Sequence, residues 1–266
     1  MRRLVLFAAA ALTALGGISG QASAVNLALV LLNDVSNSVD ELEYGLMKDG
    51  YRAAFSDPDV VASIIGNSGG VAVAYVEFSD ADKIDLVLGW SVLTDETSAR
   101  AFGEAVALAP RSSAGSTSMT SGLLAAADLL KTSDYTSSRM VIDVASDFHG
   151  EGARVARVRD QIVADGITIN ALPLLDDRQI GTFDGRHAYS AATNWTRIPI
   201  AEFYALNIIG GEGSFVVEAK DIGVFGEALK RKLLLEFIAT GDGVLPWSLR
   251  DAESATLSDD APRVLR

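Results

Sequence analysis

Two short segments, 26–33 (NLALVLLN) and 139–146 (RMVIDVAS), are almost unbroken in apolar residues, and each runs into an acid, Asp34 and Asp147. A strand with one wet face alternates apolar and polar residues, so an unbroken run has to lie inside a sheet covered on both faces. Helical spacing follows the first run. Val39, Leu42, Leu46 and Ala53 mark a helix up to Phe55, with Asp40, Glu41 and Glu43 in its first turn, where the helix dipole favours acids. Asp57-Pro58 caps and opens a second helix through Val60, Val61, Ile64 and Ile65, stopped by Gly66 and the Gly69-Gly70 pair. Further helices are expected at 94–108, 118–130, 152–164 and 221–238, and further strands at 167–174 and 213–218. The apolar runs 71–78 and 84–90 are separated by too few residues for a crossover, which predicts an antiparallel hairpin. This alternation predicts an α/β, three-layer, Rossmann-like domain: a mostly parallel central sheet with one antiparallel hairpin strand and helices on both faces.

The chemistry open to the chain is restricted. Its 266 residues contain no Cys and only His149 and His187, so disulfides, thiolate nucleophiles, thiolate-bound zinc and multi-histidine metal sites are excluded. The net charge of −13 argues against a nucleic-acid partner. Carboxylates, hydroxyls and backbone carbonyls remain.

Residues 1–24 read as a secretory signal peptide: a basic start at Arg2-Arg3, an apolar run at 4–18 and a small-x-small site at Ala22-Ser23-Ala24. The run falls short of the roughly 20 residues needed to span a bilayer. Removing these 24 residues takes away two Arg and no acid, which moves the charge from −13 to −15. The expectation is an exported protein, periplasmic or secreted, with no membrane insertion after cleavage. Residues 25–238 form the expected domain. Residues 239–266, polar and containing Pro246 and Pro262, read as a mobile C-terminal tail.

Three polar clusters fall at strand ends or helix starts: Asp34-Val35-Ser36-Asn37-Ser38, Gly115-Ser116-Thr117-Ser118 and Ser146-Asp147. In a parallel sheet the carboxyl ends of strands share one edge, where open α/β sheets bind ligands. Two carboxylates and three hydroxyls converging there suit a hard divalent cation, Mg²⁺ first and Mn²⁺ or Ca²⁺ behind it. The competing explanation for Asp34, Ser36 and Ser38 is helix capping.

Asp34-x-Ser36-x-Ser38, Thr117 and Asp147 resemble the metal-ion-dependent adhesion site of von Willebrand factor A domains. The resemblance implies that Ser36, Ser38 and Thr117 offer hydroxyls to a metal, that Asp34 and Asp147 act directly or through water, and that an open coordination position takes a carboxylate from a partner protein. More narrowly, Gly50-Tyr51-Arg52-Ala53-Ala54, the segments 166–173 and 207–215, and Lys230-Arg231-Lys232-Leu233 resemble an uncharacterised bacterial family of exported von Willebrand A-like proteins, a domain of unknown function. Phe148 stands where these domains usually place Gly, with the expectation that it narrows access to the metal, and Ser116 also replaces a common Gly.

Phe148, His149 and the segment 176–199, with Arg178, Arg186 and Trp195, are expected to form a partner-binding rim. Gly66-Asn67-Ser68-Gly69-Gly70 matches a nucleophile elbow in letters only, because a helix precedes it and a strand follows. His149 lacks the orienting acid and oxyanion donors of a serine–histidine pair. The favoured function is therefore a metal-dependent adhesion module that captures an acidic side chain of a partner. The alternatives are a metal-assisted hydrolase and a structural domain with a vestigial site.

Overall fold

A computed structural model describes residues 23–174, 179–180, 183–184, 187–190, 196–219, 224–238 and 263–265. In chain order the elements are β1 (Ser23–Asp34), α1 (Glu41–Phe55), α2 (Pro58–Ile65), β2 (Val71–Phe78), β3 (Ile84–Leu93), α3 (Glu96–Leu108), α4 (Met119–Lys131), β4 (Tyr135–Ser146), α5 (Gly152–Ala164) and β5 (Ile167–Pro173). Then come β6 (Gln179–Ile180), β7 (Phe183–Asp184), β8 (His187–Ser190), β9 (Thr196–Pro199), α6 (Ile200–Asn207), β10 (Phe215–Val217), α7 (Phe225–Ile238) and β11 (Arg263–Leu265). The main sheet has the order β11-β10-β5-β4-β1-β2-β3. All its pairs are parallel except β2–β3, the expected hairpin.

The central strand β1 shows why its sequence does not alternate. Leu27, Leu29 and Leu31 face a core built with α1, α2, α3 and α7. Ala28, Val30 and Leu32 face a second core built with α4, α5 and α6. Both sets are buried, and each large side chain contributes about 1.5–3 kcal/mol relative to exposure. The sheet therefore stops where the apolar run stops, at Asp34.

Several boundaries differ from the sequence reading. β4 starts at Tyr135 rather than 139, because its first residues pair with Ser23, Ala24 and Val25 of β1. The expected cleavage point after Ala24 falls two residues inside β1, at its exposed start, and residues 1–22 lie outside the described residues. The polar stretch 176–199 contains two short antiparallel ladders, β6–β7 and β8–β9, and the second lies against α6. α6 itself has no counterpart in the sequence reading. Its apolar residues surround the helix, so they leave no one-sided period to detect. Arg263, Val264 and Leu265 pair in parallel with β10, while the rest of the expected tail, 239–262 and 266, lies outside the described residues.

α7 is locked to the sheet by buried charge. Lys232, fully buried, lies 2.5 Å from Asp143 Oδ1 in β4 and 3.5 Å from Glu236 Oε1. Glu236 also accepts from Arg139 at 3.0 Å and from Asn170 at 2.6 Å. Burial pushes the Asp143 carboxyl up to about 6, against the pull of Lys232. Removing one member of a buried ion network leaves uncompensated charge. We therefore expect Lys232→Ala to cost about 3–5 kcal/mol, read as a fall in the urea midpoint of unfolding.

Candidate metal centre

The register of the parallel strands brings the predicted residues to one edge. Asp34 closes β1 opposite Phe78 of β2, and its neighbour Asn33 is level with Ala145 of β4, so Ser146 and Asp147 emerge beside Asp34. The Asp34 side chain is 0% exposed. Its Oδ1 accepts the Ser36 amide at 2.8 Å and its Oδ2 accepts the Ser146 hydroxyl at 2.6 Å. The same Ser146 oxygen accepts the Phe148 amide at 3.0 Å. Burial, and then the charge of nearby Asp147, push the Asp34 carboxyl up to about 7 from its ordinary 3.8. Among the described residues no Lys or Arg forms an ion pair with Asp34.

The hydroxyls form a chain. Thr117 donates to Ser36 Oγ at 2.8 Å, and Ser36 Oγ lies 3.0 Å from Ser38 Oγ. Ser36 is buried, Thr117 half-buried and Ser38 exposed, so the chain leads from the interior to solvent. Helix capping does not explain these serines. The cap of α1 is Asp40, whose carboxylate accepts the Glu43 amide at 2.8 Å while Glu43 accepts the Asp40 amide at 2.8 Å.

Thr117 is carried by the segment between α3 and α4, which is fastened on both sides. The Asn37 amide donates to the Gly115 carbonyl at 2.8 Å, and the Ser118 amide donates to the Ser79 carbonyl at 2.8 Å. Asp80 accepts from the Ser116 hydroxyl and amide and pairs with Lys83 at 3.0 Å. Gly115 has φ 147° and packs against the Asp80 carboxylate, with no room for a Cβ.

Asp34, Ser36, Ser38, Thr117 and Asp147 thus stand at one edge, and the first four are linked through hydrogen bonds and the Asp34 contact to the Ser36 amide. The set contains only oxygen donors, with a buried carboxylate that favours its neutral form. That donor set fits a hard divalent cation, which would restore the charge balance that burial denies Asp34. Among the described residues no group of three or more His, Asp or Glu side chains converges as a metal cluster, so any cation here depends on hydroxyls.

One expected rim residue is placed differently. Phe148 is turned inward, 9% exposed, with its ring 6.4 Å from Phe203 of α6. It belongs to the core under the site rather than to a surface that narrows access, because α6 supplies an apolar partner for it. His149 is exposed, with Nδ1 3.0 Å from the Asp147 carbonyl. Arg178, Arg186 and Trp195 lie outside the described residues. The 66–70 match is a turn: Gly66 ends α2, the Gly70 amide donates to the Asn67 carbonyl at 3.0 Å, and Gly69 and Gly70 both have positive φ.

Two supporting residues escaped the sequence reading. The Tyr204 hydroxyl of α6 donates to the Ser146 carbonyl, buttressing the strand end that holds Asp34. Arg111 reaches the backbone of the 34–40 loop from the segment carrying Thr117. Neither has a local sequence signal, since their partners are backbone carbonyls 58 and more than 70 residues away.

Fold and edge site together define a three-layer α/β domain of the kind the sequence resemblance implies, with an all-oxygen cluster at the carboxyl edge of its sheet. Residues 24–241 match the model of a family described as a protein of unknown function, DUF1194, and the chain belongs to that family. No curated protein matches the chain. Among solved structures, the pilus adhesin SpaC from Lactobacillus rhamnosus GG is similar with a TM-score of 0.57 at 12% identity, over 81% of this chain and 31% of that one. Proximal thread matrix protein 1 from the mussel byssus is similar with a TM-score of 0.51 at 17% identity, over 81% and 47%. A von Willebrand factor type A protein from Catenulispora acidiphila matches with a TM-score of 0.49 at 15% identity, over 79% and 42%. The chain spans less than half the length of each of these three.

The folded Asp34 carboxyl holds its proton to about pH 7 and the unfolded one to about 3.8, so between these values the folded chain binds more protons. Its stability in chelator then falls as pH rises through that window. Asp34→Asn should lack this contribution and, in chelator at pH 8, exceed the wild type by roughly 2–4 kcal/mol, measured by urea unfolding of both proteins across pH 4–8. Equal pH profiles for the two would show that Asp34 carries no such penalty.

Proposed function

We propose that the chain is an exported, adhesion-type protein-binding module whose edge site holds a divalent cation, Mg²⁺ before Mn²⁺ or Ca²⁺, and through it takes a carboxylate from a partner protein. The observation that carries this reading is Asp34: a fully buried carboxylate beside a second acid, with the Ser36 hydroxyl next to it linked to those of Ser38 and Thr117. Ser36, Ser38 and Thr117 would present hydroxyl oxygens to the cation, and Asp34 and Asp147 would balance its charge directly or through water. When bound, the cation supplies local positive charge to a protein that carries 35 acids against 22 bases.

That charge is what an acidic side chain of a partner needs near an otherwise repelling surface. The shared fold of a pilus adhesin accords with a binding role. Export rests on the leader expected at 1–24, and no helix among the described residues is long and apolar enough to cross a membrane. His149, exposed and resting on the Asp147 carbonyl, stands at the rim rather than as one member of a catalytic pair.

Calorimetric titration with Mg²⁺ or Mn²⁺ should show about one equivalent bound, lost in Asp34→Ala and weakened about tenfold or more in Thr117→Ala. Absence of binding to the wild type would refute the cation site. Capture of a carboxylate-bearing partner should disappear in chelator and in Asp34→Ala; capture that survives both would move recognition elsewhere on the surface.

A further inference from the structure

One side chain outside the oxygen cluster ties its two main loops together. Arg111 Nη2 donates to three carbonyls of the β1–α1 loop, Val35 at 2.8 Å, Ser36 at 2.7 Å and Val39 at 2.8 Å, and its Nε lies 3.3 Å from the Val35 carbonyl. These carbonyls bracket Ser36 and Ser38. Arg111 itself sits six residues before Thr117, on the segment whose Gly115 carbonyl accepts the Asn37 amide.

The arginine is gripped from its own side. The next amide, Ser112 N–H, donates at 2.8 Å to Glu77, a fully buried carboxylate of β2. The guanidinium carbon lies 5.3 Å from the centre of the Tyr44 ring, and the Tyr44 hydroxyl donates to the same Glu77 at 2.9 Å. The remaining arm pairs with Glu41 at 3.1 Å, an acid 87% exposed on α1. The guanidinium thus lies over a ring while the backbone beside it is fixed by the Ser112 amide, and it offers its donors to the loop rather than to Asp34.

Three carbonyl dipoles converging on one point repel one another unless a cationic donor lies between them. Without it the loop would turn at least one carbonyl toward water, and Ser36 or Ser38 would turn with it. The guanidinium spreads its donors over three nitrogens: Nη2 shares its two protons among the three carbonyls, Nε adds a second contact to Val35 and Nη1 holds Glu41, a spread that the single nitrogen of a lysine ammonium does not reproduce.

We propose that Arg111 is the positioning residue of the cation site: by gathering the carbonyls of Val35, Ser36 and Val39 from the segment that carries Thr117, it sets the hydroxyls of Ser36, Ser38 and Thr117 in place before a cation arrives. This inference rests on the cation reading given above for affinity, and on the loop geometry alone for order. Preorganised ligands bind more tightly because the ordering is already complete in the free protein.

The test uses the full chain, Mn²⁺ as the probe, and Arg111→Ala, Arg111→Lys and Glu41→Gln variants that unfold cooperatively in chelator. Arg111→Ala should weaken Mn²⁺ binding at least tenfold, Arg111→Lys about threefold or more, and Glu41→Gln less than twofold. Val60→Ala, a core truncation on α2, should lower stability while leaving affinity unchanged, which separates positioning from general destabilisation. In chelator, the Ser36 and Asn37 amides should exchange at least tenfold faster in Arg111→Ala. Wild-type affinity in a folded Arg111→Ala protein overturns the proposal; if that variant does not fold, wild-type affinity in Arg111→Lys does so. Should the wild type itself bind no Mn²⁺, the cation reading fails on its own, and amide exchange decides: unchanged protection in Arg111→Ala, or in Arg111→Lys if only that variant folds, overturns the role of Arg111 as well.

Discussion

A carboxylate placed at the buried end of a central strand is the constraint around which this edge of the protein is arranged. Asp34 is fully buried, its carboxylate bonded to the Ser146 hydroxyl and the following Val35 amide bonded to Phe78 of β2. Hydrogen bonds from Ser146 and Ser36 offset part of its desolvation, and the nearby charge of Asp147 works against ionisation. The surrounding groups answer that imbalance with hydroxyls rather than with a basic side chain. In the reading proposed above, a cation supplied from outside would meet that imbalance, and the edge's own residues would orient it.

The same edge depends on polar groups buried deeper in the domain. Glu77 gathers Tyr44, Tyr75, Lys48 and the Ser112 amide, joining α1, β2 and the segment before α4. Lys232, Asp143, Glu236, Arg139 and Asn170 perform the equivalent task between α7, β4 and β5. Buried networks of this kind contribute less net stability than apolar packing of the same volume, yet each is strongly disrupted when one member is lost. What they fix is relative placement. Through Glu77, the position of Ser112 and hence of Arg111 is referred to the buried strand β2 rather than to the solvent-exposed loop.

Much of this architecture was legible in the chain because it follows from local periodicity. The unbroken run of β1 announced burial on both faces, the short gap after β2 announced a hairpin, and α5 was bounded at 152–164 by its spacing alone. The five oxygen-bearing residues were legible because they fall at strand ends and helix starts, which share an edge in a parallel sheet. α6 was not legible: Ile200, Ala201, Phe203, Tyr204 and Ala205 are all buried, so no polar face reveals a helical period. Phe148 was misplaced for a related reason. Its position beside Asp147 suggested a rim, whereas α6, absent from the sequence reading, provides the Phe203 ring that draws it inward.

The sequence by itself determined which residue types are available, where strands end and which side chains lie at those ends, because these depend on neighbours within a few positions. Tertiary structure alone decided that Asp34 is sealed from water beside Asp147. It also decided that Tyr204 braces Ser146 and that Arg111 spans the two loops. Those contacts join residues 58 to 76 positions apart, several through backbone carbonyls that every residue possesses. A hydrogen bond to a carbonyl leaves no mark on the identity of its acceptor, so only the folded chain reveals it.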